Sequence, residues 1–248
     1  MNDDSIGLNG YGILVSMLSR GKIRKKVRSG EVSESDTTET GFFVSDVVDD
    51  SYCMRTNPDL QLYPSFASAQ DVIKTAKALG PFLYTPETQR ISIADGVNVK
   101  EEFRKYAPRG EGERHFDLVY EMVLSEAEKF REKGYQPPLI VPTNRFNTGK
   151  LYPLDRKKSV EPDALMIIRD RRAIRDYGYC NTAAIEVQRK EFQPLEGKMR
   201  KYRDLFIKGK AIYVVLAVSS GVKGNVEEFK KRMNLLGFSE SSYEIRRI

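Results

Sequence analysis

The sequence predicts an α/β protein, in which a mixed central sheet is flanked by helices and follows an N-terminal elaboration. Two runs, residues 164–168 and 211–218, are apolar without alternation, which indicates strands covered on both faces. Helical patterns lie between and beside these strands. In residues 113–133, for example, apolar side chains recur three and four positions apart. Strands that alternate with amphipathic helices are typical of layered α/β domains.

The composition indicates a globular protein with an excess of positive charge. Its 248 residues are 40% hydrophobic and 31% charged, and the net charge is +6. Residues 141–210 hold 17 Lys and Arg against 9 Asp and Glu, which favours a polyanionic partner over the alternative of a solvated basic surface. Cys53 and Cys180 lie far apart without a second Cys or His at metal spacing, so they support neither a disulfide framework nor a zinc site.

The sequence carries no pattern of a membrane protein or of an exported one. No run approaches the roughly 20 apolar residues that span a bilayer. The acidic start, Met1-Asn2-Asp3-Asp4, differs from the basic and apolar pattern of a signal peptide. We therefore expect a cytoplasmic protein that has no membrane partner.

The N-terminal region, residues 1–108, contains a short strand in residues 41–48 and a helix in residues 69–79 that Ser68 caps. Residues 91–99 then predict a tight hairpin. A helix followed by a hairpin indicates a winged-helix element, which would dock on DNA. The alternatives are an elaboration that packs on the main domain and a dimerisation arm.

The C-terminal region, residues 109–248, predicts a regular order of elements. After the 113–133 helix we expect strands at 139–141, 164–168 and 184–190, a helix at 195–207, a strand at 211–218, a helix at 225–236 and an edge strand at 243–248. The first three strands can form an antiparallel meander. The crossover through the 195–207 helix should place the next strand alongside in the right-handed sense.

Two acids fall on neighbouring strands of this region. Asp163 starts one strand and Glu186 lies within the next, where side-chain alternation puts Gln188 and Lys190 on the same face. Paired carboxylates of this kind hold hard divalent cations. Glu113 lies on the core-facing stripe of its helix, so it either points into the same pocket or favours the positive end of the helix dipole.

These residues resemble the PD-(D/E)XK nuclease superfamily and, within it, the archaeal Holliday junction resolvases. The resemblance covers about residues 109–218, and four features carry it: Glu113-Arg114 and Gly134-Tyr135 at the two ends of one helix, Pro162-Asp163-Ala164, Ile185-Glu186-Val187, and the basic helix followed by an apolar strand. It implies a restriction-endonuclease-like αβββαβ core. It also implies an origin in an archaeal virus or mobile element, in which case the location is the host cytoplasm.

The resemblance further implies a metal site and roles for its residues. Asp163, Glu186, Glu113 and the carbonyl of Val187 would hold one or two Mg²⁺ or Mn²⁺ ions. Gln188 stands where the family has a lysine, and it can orient a water but brings no charge. Lys190, on the same strand face, could supply that charge.

Five basic residues are expected to hold the phosphate backbone: Arg171, Arg172, Arg175, Lys198 and Arg200. His115, the single histidine, is expected to have a surface or capping role.

The function expected from the resemblance is that of a metal-dependent DNA endonuclease, selective for Holliday junctions or other branched DNA and acting as a homodimer. The first alternative is a non-catalytic nucleic-acid-binding protein on a degenerate nuclease scaffold. The second is that the acids only form surface ion pairs with nearby arginines.

Overall fold

The computed structural model describes residues 3–20, 41–56, 66–110, 112–143, 160–176, 181–188, 193–207, 213–218 and 225–247. The chain forms two compact units. Unit 1 comprises residues 1–57 and 62–106, and unit 2 comprises residues 58–61 and 107–248; the sequence prediction places the boundary after residue 108. None of the described helices is long and apolar enough to cross a membrane.

Unit 1 combines helices with a small antiparallel sheet. Its elements in chain order are α1 (Asp3–Arg20), β1 (Gly41–Phe43), α2 (Val44–Thr56), α3 (Ala69–Ala78), β2 (Phe82–Thr85), β3 (Arg90–Ile93) and α4 (Val99–Arg104). The sheet order is β1-β3-β2. As the sequence predicts, Ser68 caps α3, because its hydroxyl accepts a hydrogen bond from the amide of Asp71.

Two local predictions for unit 1 are wrong. β3 pairs with β2 rather than with residues 97–99, and Val99 instead begins α4 because Asn98 caps that helix. The strand predicted for residues 41–48 ends at Phe43, and Val47 lies in α2 with its side chain buried. Short apolar runs do not distinguish a strand from a buried helical turn, which explains the second error.

Unit 2 contains a five-stranded mixed sheet with helices. Its elements are α5 (Glu113–Glu132), β4 (Leu139–Pro142), β5 (Ala164–Ile167), α6 (Arg171–Asp176), β6 (Thr182–Gln188), α7 (Gln193–Ile207), β7 (Tyr213–Val218), α8 (Val226–Leu235) and β8 (Tyr243–Arg247). The sheet order is β4-β5-β6-β7-β8, with the first two pairings antiparallel and the last two parallel. The predicted α/β class, meander and parallel crossover are therefore confirmed.

Backbone hydrogen bonds continue the pairing of β5 with β6 by one residue at each end of β5. Asp163, just before β5, donates its backbone amide to the carbonyl of Ile185 at 3.0 Å, so it lies beside the later part of β6. At the other end, the amide of Ile168 donates to the carbonyl of Asn181 at 2.8 Å. Every residue of β5 is buried, as expected for a strand covered on both faces.

Candidate functional site

The carboxylates of Asp163 and Glu186 meet around one lysine nitrogen. Antiparallel pairing brings the start of β5 next to Glu186 on β6, and α7 supplies Lys198. The Nζ atom of Lys198 lies 3.9 Å from Oδ1 of Asp163, and it contacts Oε2 of Glu186 more closely. Because both oxygens lie within 4 Å of one atom, they are less than ~8 Å apart, so one divalent ion can engage both carboxylates when a coordinated water bridges to one of them.

Asp163 is held on both of its carboxylate oxygens. Oδ2 accepts a hydrogen bond from the backbone amide of Val187 at 2.7 Å, and Oδ1 lies 3.2 Å from Nε2 of His115. Burial alone would raise the pKa of Asp163. The bond to His115, the charge of Lys198 and the Val187 amide outweigh it, so the pKa lies below its ordinary value. Asp163 is therefore an anion at neutral pH.

Glu186 lies deeper than Asp163, with 1% of its surface exposed. The hydroxyl of Tyr202 donates a hydrogen bond to Oε1 at 2.7 Å, and Lys198 contacts Oε2. Burial and the negative charge of Asp163 raise the pKa of Glu186 to about 7, against the opposing effect of Lys198 and Tyr202. The two carboxyl groups therefore have pKa values pushed in opposite directions, which is a feature of functional sites.

Helix α7 presents Lys198 and Tyr202 on one face, because residues four apart are neighbours on a helix. Tyr202 is fully buried, whereas 40% of the Lys198 side chain is exposed. Burial would lower the pKa of Lys198, but the charges of Glu186 and Asp163 raise it, so the group stays protonated. Lys198, predicted to hold the DNA backbone, thus lies at the acids. Arg200, two positions further, is exposed and faces away from Lys198.

Of the two alternatives for Glu113, its position at the exposed start of α5 favours an interaction with the positive end of the helix dipole. Glu113 is the first residue of α5 and is exposed. Helical side chains lean toward the N-terminus, so a first-turn residue projects beyond the helix end and no further turn covers it. His115, in the same turn of α5, reaches Asp163 with its Nε2 atom, so the expected surface or capping role of His115 is wrong.

The arginines of the β5–β6 connection do not surround the acids. Arg171, Arg172 and Arg175 lie on α6, a short helix between β5 and β6. Arg172 donates to the carbonyl of Gly134 at 2.8 Å, just past the C-terminal end of α5, whereas His115 stands at the N-terminal end. These two ends are separated by roughly 28 Å at 1.5 Å per residue. The α6 arginines therefore lie at the end of β5 remote from Asp163.

Three further predicted residues belong to β6 or follow it. Gln188 is half-buried and shares a strand face with Glu186. The amide of Val187 points to Asp163. In an antiparallel pair the amide and the carbonyl of one residue point to the same side of the strand, so the carbonyl of Val187 also faces the β5 side. Lys190 lies outside the residues that the structure describes.

The donor set suits a small hard cation that keeps most of its waters. Within the described residues, no group of three or more His, Cys, Asp and Glu side chains is placed to hold a metal ion. Mg²⁺ often takes only one or two protein carboxylates and fills its octahedral shell with waters and substrate phosphate. Asp163 and Glu186, already arranged around the cationic nitrogen of Lys198, fit that requirement.

Sequence analysis assigned no site role to His115 or Tyr202. The spacing of Lys198 and Tyr202 on a helix that follows an acid-bearing strand was a usable signal, because residues four apart share a face. His115 gave no comparable signal. No protein-family model, curated protein or solved structure matches this chain.

Proposed function

We propose that unit 2 is a metal-dependent nuclease that hydrolyses DNA phosphodiester bonds with Mg²⁺ or Mn²⁺. The observation that carries this proposal is the meeting of Asp163 and Glu186 around the ammonium group of Lys198. Two carboxylates whose pKa values are shifted in opposite directions beside one cation are a feature of catalytic sites. The excess of basic residues in the surrounding sequence favours a nucleic-acid substrate.

Some residues of the site would bind the cation, and others orient the residues that bind it. Asp163 and Glu186 hold the cation, with the carbonyl of Val187 as a further oxygen donor. When bound, such a cation supplies Lewis-acid chemistry, polarising the phosphate and lowering the pKa of water. Tyr202 fixes Glu186 through one carboxylate oxygen, and His115 fixes Asp163 in the same way.

Lys198 supplies the positive charge that Gln188 lacks. The ammonium group stands at the carboxylates on a long, half-exposed side chain, so it can turn toward a phosphate that enters the site. There it stabilises the charge that develops on the phosphate oxygens. Gln188, on the same face as Glu186, accepts and donates hydrogen bonds that orient the attacking water.

The choice of branched DNA and the homodimer rest on the resemblance to junction resolvases. A four-way junction presents two equivalent strands, which a symmetric dimer with two sites matches. Light scattering of the full chain, alone and with a junction, tests the dimer.

A non-catalytic nucleic-acid-binding protein is the second candidate. It is favoured by the contact between Lys198 and Glu186, which already neutralises the deeper carboxylate, and by the exposed position of Glu113 at the start of α5. On that reading the ammonium group replaces the cation permanently.

A cleavage assay separates the two candidates. Wild-type protein and Glu186→Gln are incubated with four-way junction, flap and single-stranded DNA, with Mg²⁺, with Mn²⁺ and with a chelator. Gln preserves the shape of the buried side chain but removes its charge, so the variant keeps the packing around Tyr202.

Metal-dependent cleavage by the wild type alone supports the nuclease, and the preferred substrate identifies its selectivity. Salt-sensitive binding without cleavage at any metal concentration supports the second candidate. Equal cleavage by both proteins would mean that the activity arises elsewhere and would contradict the proposed site.

A further inference from the structure

One face of α3, in unit 1, is exposed and carries polar and basic side chains. The opposite face is buried through Val72 and Ala76. Gln70, Lys74 and Lys77 are all exposed. Positions i, i+4 and i+7 form one stripe along a helix, so these three side chains form the centre of the exposed face. We refer to them as the α3 stripe.

The α3 stripe is held in place and carries positive charge. The hydroxyl of Ser68 accepts from the amide of Asp71 and donates to its carboxylate at 2.9 Å, which fixes the start of the helix and engages the acid nearest the stripe. At the other end, Nζ of Lys77 lies 5.3 Å from the centre of the Tyr84 ring on β2, a cation–π contact that orients the ammonium group beside the hairpin. The two lysines give the stripe a charge of +2, complementary to phosphate.

The elements around α3 present this face outward on a small scaffold. The order α1, β1, α2, α3, β2, β3, with β3 central in the sheet, places α3 against α1, α2 and β2. α3 is the second of two consecutive helices, as the helix that enters the major groove is in a helix-turn-helix, but residues 57–68 form a longer connection than the three- or four-residue turn of that motif. The β2–β3 hairpin follows α3 directly. The B-DNA major groove is about 12 Å wide and admits one helix.

We propose that α3 docks double-stranded DNA in the major groove. Gln70, in the first turn, faces base edges, because the N-terminal residues of such a helix contact bases and an amide side chain pairs with adenine through two hydrogen bonds. Lys74 and Lys77 contact phosphates on either side. This duplex-binding site is separate from the acidic site and does not depend on the proposed nuclease activity.

Fluorescence anisotropy of the full chain with a labelled 30-base-pair duplex tests this docking. The buffer contains a chelator, so cleavage cannot contribute. Lys74→Ala/Lys77→Ala is compared with Lys100→Ala/Lys105→Ala, which removes the same charge from α4 and the residue after it in the same unit. Circular dichroism verifies that both double variants keep the wild-type fold.

The α3 double variant should bind the duplex on the order of tenfold more weakly, and the slope of log K against log salt should become shallower by about 1.8, for two lost phosphate contacts. The α4 control should keep most of the affinity. Wild-type affinity and slope in the α3 variant, or an equal loss in the control, would overturn the proposal. Loss of binding to a single-stranded RNA of equal length with duplex binding unchanged would also overturn it.

Gln70→Ala provides the second readout. Selection of duplexes from a randomised pool should give a base preference with wild-type protein, and Gln70→Ala should lose preference at one position while keeping the wild-type salt slope, because an amide contact to a base releases no counterion. The same base preference in both proteins would exclude Gln70 from base readout. The chelator excludes cleavage from both experiments, so they test duplex docking whether or not unit 2 is a nuclease.

Discussion

Lys198 lies between the carboxylates of Asp163 and Glu186, where a divalent cation would have to bind. Metal binding therefore competes with the ammonium group. We predict that Lys198→Met binds Mn²⁺ on the order of tenfold more tightly than wild type in the absence of DNA, because a like charge is removed from the site. Isothermal titration calorimetry measures this affinity.

The same substitution should lower the cleavage rate by roughly 10²-fold, because the charge at the phosphate is lost. Arg200→Met, on the exposed side of α7, is the matched control and should leave Mn²⁺ affinity unchanged. Unchanged or weaker Mn²⁺ binding by Lys198→Met would show that the lysine supports the site rather than competing for it.

His115 and Glu113 offer a direct test of which first-turn residue serves the site. His115 orients Asp163 through its Nε2 atom, whereas Glu113 is exposed. Removing a side chain that orients a metal ligand costs about 10–100-fold in metal affinity, so His115→Ala should weaken Mn²⁺ binding by about that factor and Glu113→Ala should not. The reverse ranking would restore the assignment that the resemblance implies.

Glu186 should make the stability of the metal-free protein depend on pH. Its pKa rises from 4.5 in the unfolded chain to about 7 in the fold, so between these values the folded state binds the proton more tightly. The resulting stabilisation is complete below about pH 4.5 and is lost as the pH rises through 7.

Glu186→Gln cannot titrate at this position and isolates the effect. The free energy of unfolding of wild type minus that of the variant, measured by urea denaturation with a chelator, should fall by on the order of 2 kcal/mol between pH 4.5 and 8. A difference that is flat or rises with pH would mean that Lys198 keeps Glu186 ionised throughout.

At the scale of single elements, an ion pair joins β8, the last strand of unit 2, to its first helix, α5. Glu126, on α5, is fully buried and contacts the guanidinium group of Arg246 on β8. Arg246→Met leaves a carboxylate buried without this partner, which should cost about 3 kcal/mol in the free energy of unfolding. The exposed neighbour Arg247→Met should cost less than about 0.5 kcal/mol.

Urea denaturation measures both values, and the double variant Glu126→Leu/Arg246→Met adds a third. Replacing both charges with apolar groups should recover most of the loss, because the desolvation cost of the buried carboxylate disappears. If the double variant is no more stable than Arg246→Met, packing rather than charge holds α5 to β8.

Elements with strong periodicity were predictable, whereas contacts between elements were not. The stripe of α5 and the unbroken apolar runs of β5 and β7 gave the correct type and nearly correct ends, because burial on one or both faces is written into the sequence. The hairpin partner of β3 was missed, because pairing depends on a turn at Pro86–Gln89 in which Gln89 has a positive φ of 53°. That turn lacks the usual glycine or asparagine signal.

Over the whole molecule, the acidic site also combines residues that the sequence could pair with residues that it could not. Asp163 and Glu186 could be paired from sequence because adjacent antiparallel strands align their residues. His115, Lys198 and Tyr202 lie on the helices α5 and α7. The apolar spacing of a helix predicts its buried face, but it does not define the rotation of the helix about its axis closely enough to predict which polar side chains reach the strands. The separation of the α6 arginines from the acids was not predictable either, because closeness in sequence to Asp163 does not reveal that they lie beyond the far end of β5.

The two units should also be separable, since each has its own sheet and its own buried residues. We predict that a fragment of residues 107–248 unfolds cooperatively in urea and binds Mn²⁺ with the affinity of the full chain, because Asp163, Glu186 and Lys198 all belong to unit 2. The fragment should bind duplex DNA on the order of tenfold more weakly than the full chain, since it lacks the α3 stripe. The matched control is the full chain carrying Lys74→Ala/Lys77→Ala, which should bind duplex as weakly as the fragment does. A fragment that is folded but has lost Mn²⁺ binding would place part of the metal site outside residues 107–248.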